Sequence, residues 1–467
     1  MRDLLLEIGS HPVGRRVLKA LPLPVPEALR RARGPMVERP LAERSVLLMA
    51  LGETTQCAAL GEALVAAGAS VFAGEGVDPG ALAAAAEAWA RPVRSAAEAP
   101  SRVDAVVLDA TGVTEVAELV AVRARLSARV AGGIQRSGRV LVVGRPVAAQ
   151  RDATAAAVQA GLEGFVRSLA KELGRHGTTV NLVRVAPGAE GALAGPLRWL
   201  LGPRSAFVTA QPVEVQPAPR AGRWVRPFAG RVVVVTGAAR GIGEATARRF
   251  AEEGATVVGV DRPDDAAALG ALCRALGGVA VAVDLTAPGA AERVAESVAA
   301  LGGVDVVVHN AGVTRDRTFA RLDAARWDAV FAINLSAVIA LQDALTPLLR
   351  PGARVIALSS IAGLAGNVGQ TAYAASKAAV VGLVRGWSAA LEARGASAHA
   401  VAPGFIETRL TAAIPVAIRE VARRLSALGQ GGLPVDVAEA IVFLATPDAA
   451  GLRGGVLRVC GGALVGA

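Results

Sequence analysis

The 467-residue chain is 53% hydrophobic and long enough for two or three domains with sizeable cores. Its formal charge of +10 rests on arginine, since only Lys19, Lys171 and Lys377 among the 50 basic residues are lysines. With 3% aromatic residues and no basic blocks interleaved with them, the sequence argues against nucleic-acid binding; without a run of about 18 apolar residues it also argues against a membrane span.

Residues 1–40, with "LPLPVPEALRRARGP", predict an N-terminal extension, an extended arm packed on the body. The early acids of "MRDLLLEIGSHPVGRR" make it a poor signal peptide. Residues 41–212 predict a first domain. "SVLLMALGETTQCAALGEALVAAGASVFA" (45–73) has a strand–turn–helix–strand layout, "VDAVVLDATGVT" (103–114) reads as a strand, and 153–188 reads as a helix and a strand. Residues 213–229 hold three prolines and predict a linker.

From 230 to 467 the same layout returns. "RVVVVTGAARGIGEATARRFAEEGATVVGVD" (231–261) is a βαβ unit, followed by strand-like runs at 279–284, 304–312, 354–360, 397–404 and 456–462. Alternation with helices predicts a doubly wound parallel sheet. Three segments of the first half match the second in order, so the expected fold class is α/β with two doubly wound Rossmann/flavodoxin-like domains, the first degenerate. In that alignment Leu51, Thr55 and Cys57 stand at Gly237, Gly241 and Gly243, while Ala155 and Gln159 stand at Tyr373 and Lys377. The first domain is therefore expected to keep a fold without a cofactor site.

The turn "TGAARGIG" offers Gly237 for the tight turn, Gly241 for close backbone approach and Gly243 for helix–sheet packing. The following helix N-terminus can face a pyrophosphate. Asp261 ends the second strand, where a carboxylate accepts from ribose hydroxyls and repels a 2′-phosphate; this favours NADH over NADPH. Arg240 and Arg262 could instead pair with such a phosphate, or Arg262 could be a solvated loop arginine. In "YAASK" the chain's one tyrosine, Tyr373, precedes Lys377 by four positions, so a helix puts phenol and ammonium on one face. A cation there lowers a phenol pKa from about 10 toward a useful range; the plainer reading is a tyrosine packed on a lysine stem. Cys57, Cys273 and Cys460 lack disulfide spacing, which fits a reducing cytoplasm, and His11, His176, His309 and His399 lack metal-ligand spacing, so no metal site is expected.

"TGAARGIG", "NAG" (310–312), "SS" (359–360), "YAASK" and "PGFIET" (403–408) occur in the order that resembles the short-chain dehydrogenases/reductases. The resemblance implies Tyr373 as general acid, Ser360 as its hydrogen-bonding partner on the substrate oxygen, Lys377 on the nicotinamide ribose, and Asn334 holding a relay water. It implies a cofactor site formed by Gly237, Arg240, Gly241, Ile242, Gly243, Asp261, Asp284, Leu285, Asn310, Ala311 and Gly312, with Tyr373, Lys377, Pro403, Gly404, Ile406 and Thr408 toward the nicotinamide. His399 departs from the asparagine expected there, and His309 is expected to be a satisfied sheet-edge histidine.

The flanking "GNVGQ" and the two-domain layout resemble the high-molecular-weight 3-oxoacyl-(acyl-carrier-protein) reductases. That implies NADH-dependent reduction of a 3-oxoacyl group on CoA or an acidic acyl-carrier protein, in a homo-oligomer, with a dimer favoured. Arg350, Arg354 and Arg394 are candidates for meeting the carrier, and Arg409, Arg419, Arg423 and Arg424 lie in the stretch that the family uses as a lid; solvated surface is the competing reading. Two alternatives stay open. One is a dehydrogenase of another ketone or secondary alcohol; the other is a nucleotide-sensing scaffold without turnover.

Overall fold

The computed structural model describes residues 3–20, 25–53, 55–130, 132–219, 224–412 and 414–463. Among them stand two seven-stranded, wholly parallel sheets. The first comprises β1 (Ser45–Gly52), β2 (Ser70–Ala73), β3 (Arg94–Ser95), β4 (Val103–Gly112), β5 (Ile134–Gly144), β6 (Thr179–Val185) and β7 (Pro212–Val215), in spatial order 3-2-1-4-5-6-7. The second comprises β8 (Val232–Thr236), β9 (Thr256–Asp261), β10 (Val279–Ala282), β11 (Val304–His309), β12 (Leu349–Leu358), β13 (Ser397–Pro403) and β14 (Val456–Val459), in order 10-9-8-11-12-13-14. The two orders are the same topology.

The central strands are buried runs rather than alternating ones, as in "VVVV" at 232–235, because helices cover both sheet faces. Connections cross over in opposite directions from β1 and from β8, so each sheet has a crevice at its strand C-termini, between β1 and β4 or between β8 and β11. One helical stretch among the described residues, Ala324–Leu348, is long and apolar enough to cross a membrane by length and composition. It carries the buried polar residues Asn334 and Gln342 and a π turn, Ala332–Ser336.

Two boundaries differ from the sequence reading. The linker expected from 213 starts later, because 212–215 pair with β6 as the last strand of the first sheet (Leu182↔Pro212, Val185↔Val215). Proline is tolerated there as the first residue of an edge strand. Part of the expected linker, 220–223, lies outside the described residues. The N-terminal arm is extended only from residue 25; before that it forms two short helices, Leu4–Ser10 and Pro12–Ala20. Asp3 caps the first of these, accepting from the amides of Leu5 and Leu6. The extended part crosses to the second sheet's layer, where Arg31 makes two bonds to Asp436 (2.8 and 3.0 Å) and the Met36 amide donates to Glu253.

The halves are packed around a local two-fold relation. The helix before each last strand, Ala194–Leu201 and Pro434–Ala445, meets its counterpart through Trp199 stacked on Phe443 at 4.5 Å. Around them the Gln216 amide donates to the Gly451 carbonyl and the Gly461 amide to the Phe207 carbonyl. Phe207 lies so close to Gly432 and Gly461 that a Cβ on either would stand 2.6 Å from its ring. A buried ion cluster, Arg204–Glu439–Arg249–Glu253, completes the seam. Gly432→Ala is expected to overpack this contact and to lower unfolding stability by about 1–3 kcal/mol. Chemical denaturation checks it, and an unchanged midpoint would mean that Phe207 does not hold the seam.

Candidate active site

The Gly-rich turn is built by a set of short hydrogen bonds. Thr236 Oγ1 accepts from the amides of Asn310 (2.9 Å) and Ala311 (3.0 Å), and Asn310 Nδ2 donates to the carbonyls of Thr236 (2.8 Å) and Gly237 (3.2 Å). These tie the end of β8 to the end of β11. Gly243 lies in the first turn of the helix Gly241–Glu252, directly over this knot; a side chain there would strike the Gly237 carbonyl and stand 2.6 Å from Asn310 Nδ2. Gly241 is different. Its φ is +62° and no atom lies closer than 4.0 Å to the place of a Cβ, so the helix N-terminus opens onto free space.

That space is a cleft of about 440 Å³. Its wall includes Gly237, Arg240, Gly241, Ile242, Asp261, Asp284, Leu285, Asn310, Ala311, Gly312 and Thr408, so eleven of the expected cofactor residues come together. Asp261 accepts from the Ala239 amide (2.8 Å) and the Arg262 amide (2.9 Å), and Asp284 caps its own turn through the amide and hydroxyl of Thr286. Pro403, Gly404 and Ile406 are not on that wall. Gly404 is needed where β13 passes Cys460, since a Cβ would stand 2.7 Å from it, and Ile406 is buried beside Gly432 at the seam between the halves. An open, glycine-floored cleft at a helix N-terminus with a carboxylate at its rim fits a dinucleotide.

The four expected catalytic residues are not on that wall, but two of them stand behind Gly312, where a Cβ would lie 3.1 Å from Asn334 Oδ1 and 3.2 Å from Lys377 Nζ. Ser360 follows β12 and caps the next short helix; its Oγ accepts from the Ala362 amide (3.2 Å), which leaves its proton free to donate. The Ser360 hydroxyl lies near enough to the Tyr373 phenol to favour its ionised form. Burial nonetheless raises the Tyr373 pKa, Ser360 opposes it, and Asp316 raises it further. The expectation that Lys377 pulls the phenol down is not met here. Lys377 Nζ lies over the ring, 5.9 Å from its centroid, and donates to the Leu358 carbonyl at 2.8 Å. Burial has pushed its own pKa down to about 8. An i,i+4 spacing brings the two side chains together, but it sets the ammonium against the ring face rather than the hydroxyl.

Asn334 sits in the π turn, fully buried. Its amide is spent: Oδ1 accepts from the Val313 amide (2.8 Å), while Nδ2 donates to the Val313 carbonyl (3.0 Å) and Ser376 Oγ (3.1 Å). The side chain therefore fixes the cleft wall after Gly312. The "GNVGQ" segment is fixed to the opposite loop, with Gln370 donating to Asp316 (2.8 Å), Asn367 to Gln370 (2.9 Å) and the Arg317 amide to the Gly369 carbonyl (2.9 Å).

Several expectations change. His309 is on a central strand, not a sheet edge; it meets Gln342 at 2.9 Å, and burial drives its pKa to about 4, so it is neutral. Arg354 is buried and donates to the carbonyls of Gly352, Ala353 and Gly395, Arg350 pairs with Asp305, and Arg394 donates to the carbonyls of Thr346 and Leu349. Arg350 and Arg354 belong to β12 ahead of its buried run, whereas Ser360 follows that strand, so within one chain they lie at the sheet end away from Tyr373. In the lid stretch Arg423 pairs with Glu407 and Glu420, and Arg424 with Asp3 of the arm, whereas Arg409 lines the cleft. The sequence reading missed Thr236, Thr286, Thr314, Arg315, Ile333, Ser376 and, as a cleft residue, Arg409. In so arginine-rich a chain no local signal marks Arg315 or Arg409.

The first half carries other groups at the corresponding positions. Val46 faces Ala105 as Val233 faces Val306, so register puts Ala50, not Leu51, at the place of Gly237. The buried Asp109 carboxylate caps the helix Cys57–Ala66 from within, accepting from the Gln56 amide, Cys57 and Thr111. Gln159 stands where Lys377 stands; its amide bonds the Arg145 amide (2.8 Å) and the carbonyls of Ala110 (3.0 Å) and Val113 (2.7 Å).

The family model described as enoyl-(acyl carrier protein) reductase matches residues 237–463. The 3-oxoacyl-[acyl-carrier-protein] reductase of Thermotoga maritima is 38% identical over 244 residues, which is 50% of this chain and 98% of that relative. That of Escherichia coli K12 is 35% identical over 238 residues, covering 50% and 98%. An acetoacetyl-CoA reductase of Synechocystis is 41% identical over 237 residues, covering 50% and 95%. These matches establish that the chain belongs to the short-chain dehydrogenase/reductase family.

Proposed function

We propose that the chain is an NADH-dependent reductase of 3-oxoacyl thioesters, acting on acyl-CoA or acyl-carrier protein to give the 3-hydroxyacyl product. The observation that carries this reading is the meeting of Ser360, Tyr373 and Lys377 beside the cleft that ends at Gly312. Relatives with 3-oxoacyl-carrier and acetoacetyl-CoA substrates in their names support the substrate class.

Bound reduced nicotinamide supplies the hydride. The residues supply the proton and its control. Tyr373 gives its phenolic proton to the substrate carbonyl oxygen; its raised pKa keeps that proton on the phenol at neutral pH. Ser360 donates its free O–H to the same oxygen and stabilises the charge that develops there. Lys377 uses one N–H on Leu358 and has two left for ribose hydroxyls. Asn334 holds the wall at Val313 from the π turn, and it is the residue that the family resemblance gives to a relay water.

NADH rather than NADPH is favoured by the Asp261 carboxylate on the cleft wall. Three free, buried cysteines support a reducing cytoplasm. The first half serves as structural support through the seam at Phe207 and Trp199, and the assembled enzyme is a dimer of such chains. The test is NADH oxidation by acetoacetyl-CoA against a long thioester-free ketone. Turnover is expected with the thioester only; equal or better turnover of the ketone would transfer the assignment to another carbonyl substrate.

A further inference from the structure

The rim of the cleft at the end of β9 gathers five charged side chains: Asp261, Arg262, Asp264, Asp265 and Arg240. The 3₁₀ turn Pro263–Asp265 folds the chain back, with the Asp265 amide donating to the Arg262 carbonyl at 3.0 Å. That turn delivers one carboxylate to two guanidiniums. Arg240 Nη1 pairs with Asp265 Oδ1, and Arg262 Nη2 donates to Asp265 Oδ2 at 3.2 Å. The Asp265 side chain is 15% exposed, whereas those of Arg240 and Arg262 are 46% and 52% exposed. Asp261 does not share the load, because its contacts are to the amides of Ala239 and Arg262, and Asp264 reaches Arg262 only at 3.9 Å from solvent.

The arginines that would suit a 2′-phosphate are thus present and already held. A phosphate monoester at this rim would have to displace Asp265 from both guanidiniums while standing beside Asp261, so three carboxylates oppose it against two cations. We propose that Asp265 sets the cofactor preference: it holds Arg240 and Arg262 as a closed ion cluster, and without it the same two arginines would bind a 2′-phosphate. The inference rests on the NADH reading above. Asp265 is a positioning residue, since it acts through the arginines.

The test measures dissociation constants for NADH and NADPH by calorimetry on the full chain, without substrate. Asp265→Ala is expected to tighten NADPH by about tenfold and to leave NADH within about twofold. Adding Arg240→Gln and Arg262→Gln to that variant is expected to abolish the gain. If Asp265→Ala does not fold, the isosteric Asp265→Asn carries the same comparison. A wild type that prefers NADH with no tightening of NADPH in either variant overturns the role of Asp265 alone. A gain that survives loss of both arginines does the same. A wild type that prefers NADPH overturns the NADH reading and this inference with it.

Discussion

Tyr373→Phe is expected to lower kcat for thioester reduction by about a thousandfold while NADH binding stays within about twofold. The two expectations differ because the ring and the hydroxyl do different work. The ring packs under Lys377, 5.9 Å from its ammonium, and phenylalanine keeps that contact. On the proposed mechanism the hydroxyl is the group that gives the proton to the carbonyl oxygen, and phenylalanine removes it. Ser360 can still donate a hydrogen bond but holds its proton too tightly to give it up near neutrality. Steady-state NADH oxidation with acetoacetyl-CoA, paired with calorimetric NADH binding, checks both halves. A variant that turns over within about tenfold of wild type would remove Tyr373 from the role of acid.

Lys377→Met is expected to abolish turnover and at the same time to stabilise the free protein at pH 7 by about 1–3 kcal/mol. Burial has lowered this ammonium's pKa from 10.5 to about 8, and its one protein acceptor is the Leu358 carbonyl. The unfolded chain therefore binds more protons than the folded one between about 8 and 10.5. Stability contributed by this position rises with pH across that window, and below it the full cost of burying the charge remains. Methionine has nearly the same shape and no charge, so the difference between variant and wild type should shrink as pH rises from 7 to 10. Denaturant titrations at the two pH values measure it; parallel curves would show that Lys377 is not strained by burial. The same group sets a kinetic limb, since kcat/KM for reduction by the wild type should fall as pH rises through about 8. The position is thus kept for function at a cost in stability.

Much of the site was legible because its chemistry is local in sequence. "TGAARGIG" specifies a strand, a turn and a helix start in eight residues, and Tyr373 and Lys377 share a helix. Pro403, Gly404 and Ile406 are less local. Those residues follow a strand end, and whether they face the cleft or the neighbouring strand depends on where β14 and Phe207 lie, which is set by chain far away. The linker boundary failed for a related reason. A strand of four residues with a leading proline has no local pattern, and only pairing with β6 makes it one.

The amino-acid sequence by itself determined the two-fold repeat, the doubly wound class of each half and the order of the chemical groups along the second. These follow from hydrophobic periodicity and glycine placement, which act over a few residues. Only the tertiary structure decided which charges are in use. The sequence left Arg240 and Arg262 as possible phosphate partners, Arg354 as a possible carrier contact, and Arg423 and Arg424 in the lid stretch. Folding set Arg240 and Arg262 on Asp265, Arg354 on carbonyls, Arg423 on Glu407 and Arg424 on Asp3, and it exposed Arg409 to the cleft instead. It also decided the state of Lys377, because the ammonium's pKa is set by how deeply the helix buries it. Burial and ion pairing depend on residues far apart in the chain, so their effect on each charge cannot be read from neighbours in sequence.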